Sequence, residues 1–142
     1  MMPGPEERIV QKIEMLIDRS EFIEQHISDE MLHDRILRKA LYKELQEAVE
    51  IMMDIGALAR RSMHASAQDD YSTIDELVRL GILTPETGRD AKTANGLRNR
   101  LVHEYDGVDD TIAYTAMHRL LPVLRTFAQE ITTWLKEQKT KS

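Results

Sequence analysis

The chain has no cysteine, which excludes a disulfide framework and a thiolate zinc site and suits a reducing compartment. No uninterrupted apolar run approaches the ~18 residues of a membrane span. The opening MMPGPEERIV also has no apolar signal core. The expectation is a soluble, cytoplasmic protein with no membrane partner. Aromatic residues are scarce at 5%, so the core must be built from aliphatic side chains. Excess positive charge is missing too, since 19 Lys and Arg against 25 Asp and Glu leave a net charge of −6. That balance argues against sequence-independent binding along long nucleic acid, where a basic surface supplies most of the affinity. It leaves room for a small basic cleft. Strand-type alternation, internal repeats and low-complexity segments are absent as well.

What remains is 142 residues, 42% hydrophobic and 31% charged, the make-up of one ordinary globular domain over 1–142 that buries roughly two thirds of its unfolded surface. Residues 1–5 and 137–142 read as frayed tails. Apolar residues recur every three or four positions from Ile9 to Ile27, predicting a helix over about Glu6–Gln25. A second series, Leu37 through Ala59, follows Asp34 as N-cap and predicts a helix of about 28 residues. Within it, Gly56 marks a packing contact or a bend. After the polar stretch HASAQDDYS, Ser72 or Thr73 caps a short helix ending at Gly81. Thr84 then caps a fourth, with Pro85 in the first helical position where its missing N–H costs nothing. Gly107 breaks the chain, Asp109 or Asp110 caps a last helix, and Pro122 should kink it. An all-α, up-and-down bundle of four to five helices is the expected fold.

The fourth helix ends in Arg98-Asn99-Arg100-Leu101-Val102-His103-Glu104-Tyr105. This places a guanidinium, an amide, an imidazole and a phenol within eight residues. At 100° per residue Ala94, Leu97, Leu101, Val102 and Tyr105 share an arc, and Arg98 falls inside it. A guanidinium on an apolar face needs a partner, because burying it alone costs several kcal/mol. One reading is an ion pair with Glu44, Glu47 or Glu50 of the second helix; the other is a cleft or a second protein surface. Asn99 and His103, four apart, are neighbours, so the amide is placed to orient the imidazole. Arg98 and His103 diverge by about 140° on an ideal helix. A joint site therefore requires the helix to end near His103 and turn the ring inward, or two copies to face each other across a twofold axis. Arg100 points away and reads as solvated, with contact to RNA or a partner as its alternative.

Other polar groups are weaker candidates. His26 and His33 are separated by the expected turn between the first two helices. His64, Asp69 and Asp70 share a polar loop without the spacing of a metal site. His118 reads as a surface residue, Trp134 as an anchor of the last helix or a dimer contact, and the methionines as packing. Arg35, Arg38, Lys39 and Lys43 make a basic stripe at the start of the second helix, either a solvated face or a path for RNA or an acidic partner.

The Arg, four residues, His, any residue, Tyr pattern is that of the HEPN ribonucleases, and GLRNRLVHEYDGVD resembles the corresponding segment of the HepT-like ribonucleases. These are the toxin half of a prokaryotic toxin-antitoxin pair within the HEPN superfamily. The segments ELQEAVEIMMDIG and YSTIDELVRLGILTPETG are similar to the family's layout over nearly the full length. The resemblance implies a HEPN-like bundle that dimerises through the motif face, and metal-independent cleavage of RNA with no cofactor. It implies that Arg98 contacts the scissile phosphate, that His103 acts as general base or acid, and that Asn99 positions its neighbours. For Tyr105 it implies modification to O-AMP-tyrosine by an MNT-type nucleotidyltransferase antitoxin, which would put charge and bulk at the mouth of the cleft. The expected function is a type VII-like endoribonuclease toxin. Two rivals stand beside it: a non-catalytic HEPN module binding nucleotide or a partner protein, and a bundle whose arginine is purely structural.

Overall fold

A computed structural model describes residues 4–103 and 107–141. Among these residues the chain forms five α-helices and no strand: α1 (Pro5–His26), α2 (Arg35–Ser62), α3 (Asp70–Arg79), α4 (Pro85–His103) and α5 (Asp110–Lys141), with a 3-10 turn at Asp29–Leu32 between the first two.

The helix boundaries follow local chemistry. Asp34 caps α2, its carboxylate accepting from the backbone N–H of Ile36 at 3.0 Å and Leu37 at 3.1 Å, and α2 runs for 28 residues. Gly81, with φ of +76°, ends α3 in the left-handed conformation. There Ile82 and Leu83 both return their N–H groups to the Leu77 carbonyl. Pro85 opens α4, and the Thr84 hydroxyl accepts from Thr87 N–H at 3.1 Å. The Glu130 carboxylate of α5 adds a second cap, accepting from Thr84 N–H at 2.7 Å and the Thr87 hydroxyl at 2.5 Å. Asp109 caps α5 through Thr111 and Ile112.

Three boundaries differ from expectation. The cap of α3 is Asp69, which accepts from Ser72 N–H at 2.8 Å, not Ser72 or Thr73. A carboxylate three residues before a free N–H outcompetes the hydroxyls, and Ser72 and Thr73 lie inside the helix. The polar end expected to fray, 137–142, is helical through Lys141. Buried Trp134 and Leu135 anchor the preceding turn, and the Thr140 hydroxyl bonds back to the carbonyls of Lys136 and Glu137. At the other end Pro5 already belongs to α1. Pro122 lies within an unbroken α5.

The core is one aliphatic cluster threaded by all five helices, including Ile9, Leu16, Ile23, Leu41, Leu45, Met52, Ile55, Leu77, Ala91, Met117, Leu124 and Ile131. Each fully buried Leu or Ile contributes about 1.5–3 kcal/mol. Gly56 is a packing contact: a Cβ there would stand 3.3 Å from Leu77 of α3. Gly88 of α4 is tighter, since a Cβ would come within 2.6 Å of Val78 Cγ2. These two glycines let α3 lie close against α2 and α4. The 3-10 turn and the start of α2 meet the start of α5, and α4 runs back to the same end of the bundle. This end carries the motif.

Candidate functional site

Thr87, Gly88, Ala91, Ala94 and Asn95 are buried along α4. Small residues there bring the helix close to its neighbours, and the buried stripe then thins toward the C-terminus. Leu97, Arg98, Asn99, Leu101 and Val102 are half-buried, and Arg100 and His103 are exposed. The chain is helical as far as it is described on this side of the motif, to His103, whose ring is not turned inward. Tyr105 lies outside the described residues.

Arg98 is the residue on which the competing readings divide. Its Nε is buried without a hydrogen-bond partner, and among the described residues it forms no ion pair. The expected carboxylates are engaged elsewhere. Arg19 of α1 stands 3.1 Å from Glu44 and 2.7 Å from Glu47, and its guanidinium is held above its usual pKa, chiefly by the hydrogen bond it donates to the Glu44 carboxylate. Glu50 is exposed. The structural ion pair expected as an alternative for Arg98 is therefore not formed.

Nor does the single chain join Asn99 to His103, as no hydrogen bond links them among the described residues. Sequence reasoning passed over Asn95. It is 2% exposed, its Oδ1 is buried without a donor, and it stands three residues before Arg98 and four before Asn99. Asn95, Asn99 and His103 follow one another at steps of four, an amide, amide, imidazole stripe that passes from buried to half-buried to exposed. That spacing was the available signal.

The basic stripe resolves into two kinds of residue. Arg35 and Lys39 are exposed. Arg38 is structural in part: it donates to the Met31 carbonyl at 3.0 Å and stands 3.5 Å from the Asp110 carboxylate. Tyr42 donates to the same carboxylate at 2.5 Å. Burial, then that hydrogen bond, holds the Tyr42 phenol well above its usual pKa. Asp110 thereby clamps α2 to the start of α5 beside the motif. Lys43 faces Glu47 at 3.8 Å and is mostly exposed.

Beside the motif, Leu97, Arg100, Val108, Asp109, Ile112 and Ala113 line a shallow cavity of about 220 Å³. Arg100 is solvated, as expected, and stands on its rim. Two large apolar side chains are exposed at this end of the bundle, Ile112 at 61% and Ile36 at 83%. The remaining candidates settle as ordinary residues. His26 bonds the Phe22 carbonyl at 2.8 Å and stacks on its ring. His118 packs edge-on against Tyr114, and Trp134 is buried. No group of three His, Asp or Glu side chains among the described residues converges as metal ligands would. No helix among them is long and apolar enough to cross a membrane.

Comparison with known proteins fits this geometry. Residues 12–131 match the family model described as "Ribonuclease HepT-like". A protein of Archaeoglobus fulgidus named "Putative RNase" is 29% identical over 131 residues, covering 92% of this chain and 96% of its own length. The "tRNA nuclease HepT" of Aphanizomenon flos-aquae is 35% identical over 68 residues, 46% of each chain. Among solved structures, the tri-AMPylated HEPN toxin of Shewanella oneidensis, in complex with MNT antitoxin, superposes with a TM-score of 0.83. It is 22% identical, with 93% of this chain and 99% of that one covered, so it supports the fold. On the family model, which spans most of its length, this chain belongs to the HepT-like ribonuclease family.

Proposed function

We propose that the protein is an endoribonuclease toxin that cleaves RNA without a metal, at a site of Arg98 and His103 completed by a second copy of the chain. The observation that carries this reading is Arg98: a half-buried arginine with no carboxylate partner among the described residues, on a helix that presents an exposed histidine five residues further on. A guanidinium in that state is available to an anion.

RNA supplies its own nucleophile. His103 as base takes the 2′-OH proton, O2′ bonds to phosphorus, and the P–O5′ bond breaks as an acid protonates the leaving oxygen. The products are a 2′,3′-cyclic phosphate and a 5′-hydroxyl. Arg98 stabilises the charge that builds on the non-bridging oxygens. The second imidazole comes from the other copy, so one ring serves as base while the other serves as acid.

The twofold arrangement is supported by Ile36, Ile112 and half-buried Leu97, Leu101 and Val102, apolar surface gathered where the motif ends. Asn99, half-buried between Arg98 and the imidazole, orients His103 once the cleft closes. Arg100, Arg35 and Lys39 offer exposed charge for RNA or partner, and Lys43 adds to it; Arg38 does so only by leaving its contacts.

Control by an MNT-type antitoxin is part of the proposal, and it rests on the family and on the Shewanella complex, in which the toxin carries AMP groups. Tyr105, two residues beyond His103, is the proposed acceptor. The cytoplasm is the compartment where such a pair would meet its RNA.

Cleavage of RNA in EDTA tests the activity. The wild-type chain should cut, leaving cyclic phosphate ends, and His103→Ala should not; intact RNA, or equal cutting by the variant, refutes it. Mixing wild type with an equal amount of His103→Ala, after subunit exchange, tests the shared site. If one cleft needs an imidazole from each copy, only pure wild-type dimers cut, and activity per chain falls to about a quarter of wild type. A fall to about one half places a complete site in each copy. Intact mass after co-expression with a nucleotidyltransferase antitoxin should reveal added AMP that Tyr105→Phe abolishes.

A further inference from the structure

We propose that Asn95 is a positioning residue for Arg98: in the assembled site its Oδ1 accepts the Arg98 Nε–H, which sets the plane of the guanidinium and leaves both Nη groups for the scissile phosphate. The proposal deepens the reading of Arg98 as the phosphate-binding group and rests on it.

Four side-chain atoms among the described residues are buried without a hydrogen-bond partner, and two of them are Asn95 Oδ1 and Arg98 Nε. The others, Arg60 Nε and Trp134 Nε1, belong to α2 and α5. The pair on α4 is complementary, one acceptor lacking a donor and one donor lacking an acceptor. Asn95 and Arg98 are three residues apart, the spacing at which helix side chains meet. Helical side chains lean toward the N-terminus, so Arg98 reaches back over the turn that carries Asn95.

Neither atom is exposed to solvent and neither has a protein partner where it stands, so each bears the cost of an unmade buried hydrogen bond. Leucine fills a similar volume without that cost, so a polar amide that is 2% exposed has its use in a second state of the site. A small rotation of the Arg98 side chain supplies that state. It also orients the fork: with Nε taken by an amide, the edge formed by Nη1 and Nη2 is left for bidentate contact with a phosphate. Asn99 stands one turn further on, adjacent to the imidazole, so consecutive amides would set the arginine and the histidine.

The test compares Asn95→Leu, which removes the acceptor, with Asn95→Asp, which keeps it, and with Arg98→Ala, all as full-length chains on one RNA oligonucleotide. Asn95→Leu should melt at or above the wild-type temperature and lose on the order of 10- to 100-fold in kcat with little change in KM. Asn95→Asp should return kcat to within a few-fold of wild type. An amide that only supports the fold would instead lower the melting temperature of Asn95→Leu and leave kcat per folded molecule unchanged, which overturns the proposal. If Asn95→Leu cuts normally while Arg98→Ala is dead, Asn95 has no role and the arginine reading stands. If Arg98→Ala cuts like wild type, both fall.

Nitrogen-15 spectra of the arginine Nε–H groups give a readout without catalysis. With RNA carrying a 2′-deoxy residue at the cut site, the Arg98 signal, assigned by its loss in Arg98→Ala, should exchange slowly. Exchange as fast as that of exposed arginines overturns the hydrogen bond.

Discussion

Replacing Arg98 with alanine separates a reacting arginine from a structural one, because the two roles predict opposite combinations of stability and rate. The stability change has two parts. Removing a buried Nε without a partner relieves about 1–3 kcal/mol of desolvation cost. Losing the half-buried stem sacrifices two methylenes, Cγ and Cδ, at up to ~0.8 kcal/mol each, about 1 kcal/mol after allowing for partial exposure. The terms nearly cancel, leaving a net change within about 1–2 kcal/mol of zero. For a chain of this length 1 kcal/mol moves the melting temperature by about 3–4 °C, so Arg98→Ala should melt within about 8 °C of wild type. Cleavage should fall by about 10²–10³-fold, the usual cost of removing one donor from transition-state charge. Arg19→Ala is the internal contrast. It strands Glu44 beside Glu47, which keeps Lys43 at 3.8 Å, and should cost about 1–2 kcal/mol, discounted because these side chains are 20–32% exposed, with no effect on kcat. Calorimetry and a labelled-RNA assay read both quantities. A fall of more than about 10 °C in Arg98→Ala, or an unchanged cleavage rate, refutes the reasoning.

Gly88→Ala forces a Cβ to within 2.6 Å of Val78 Cγ2 and should destabilise by about 1–3 kcal/mol in urea melts, whereas Gly56→Ala, at 3.3 Å, should cost visibly less. Tyr42 titrates above its ordinary 10.0 because it is buried and bonded to Asp110; its folded pKa is raised, so its contribution is complete below pH 10 and is lost as pH climbs beyond that. Tyr42→Phe should remove this part of the alkaline stability loss, and a stability curve above pH 10 that is identical in the variant would refute the assignment. Asp109→Ala deletes the cap that accepts from Thr111 and Ile112 and should cost about 1 kcal/mol in chemical denaturation.

The boundaries that were legible in the sequence are those set by chemistry within a few residues. Asp34, Thr84 with Pro85, Gly81 and Asp109 each act on backbone groups two to four positions away, and all act as their residue types require. The misread cap of α3 belongs to the same class, since Asp69 sits in a polar run where Asp70, Ser72 and Thr73 also carry an acceptor oxygen. What the sequence concealed depends on distant partners. Nothing near Glu44 and Glu47 indicates that Arg19, across the α1–α2 contact, holds both, and that pairing alone changes the meaning of Arg98. Arg38 looks like a member of a free basic stripe until Asp110, 72 positions later, is seen against it. Asn95 escaped because an amide on a buried arc neither breaks the helical period nor carries charge.

The arrangement also accounts for why one helix can hold residues that point 140° apart. Arg98 has its Nε already in a dry environment, while His103 is exposed. For Arg98 a dry setting strengthens attraction to a phosphate, whereas exposure leaves the His103 ring open to a substrate or a second copy. A second copy laid across Ile36 and Ile112 would exclude water from the phosphate and bring another imidazole opposite the first. Each helix then needs to present its arginine to one side of the cleft and its histidine to the other. The divergence that disqualifies a site within one chain is thus the geometry a twofold site requires.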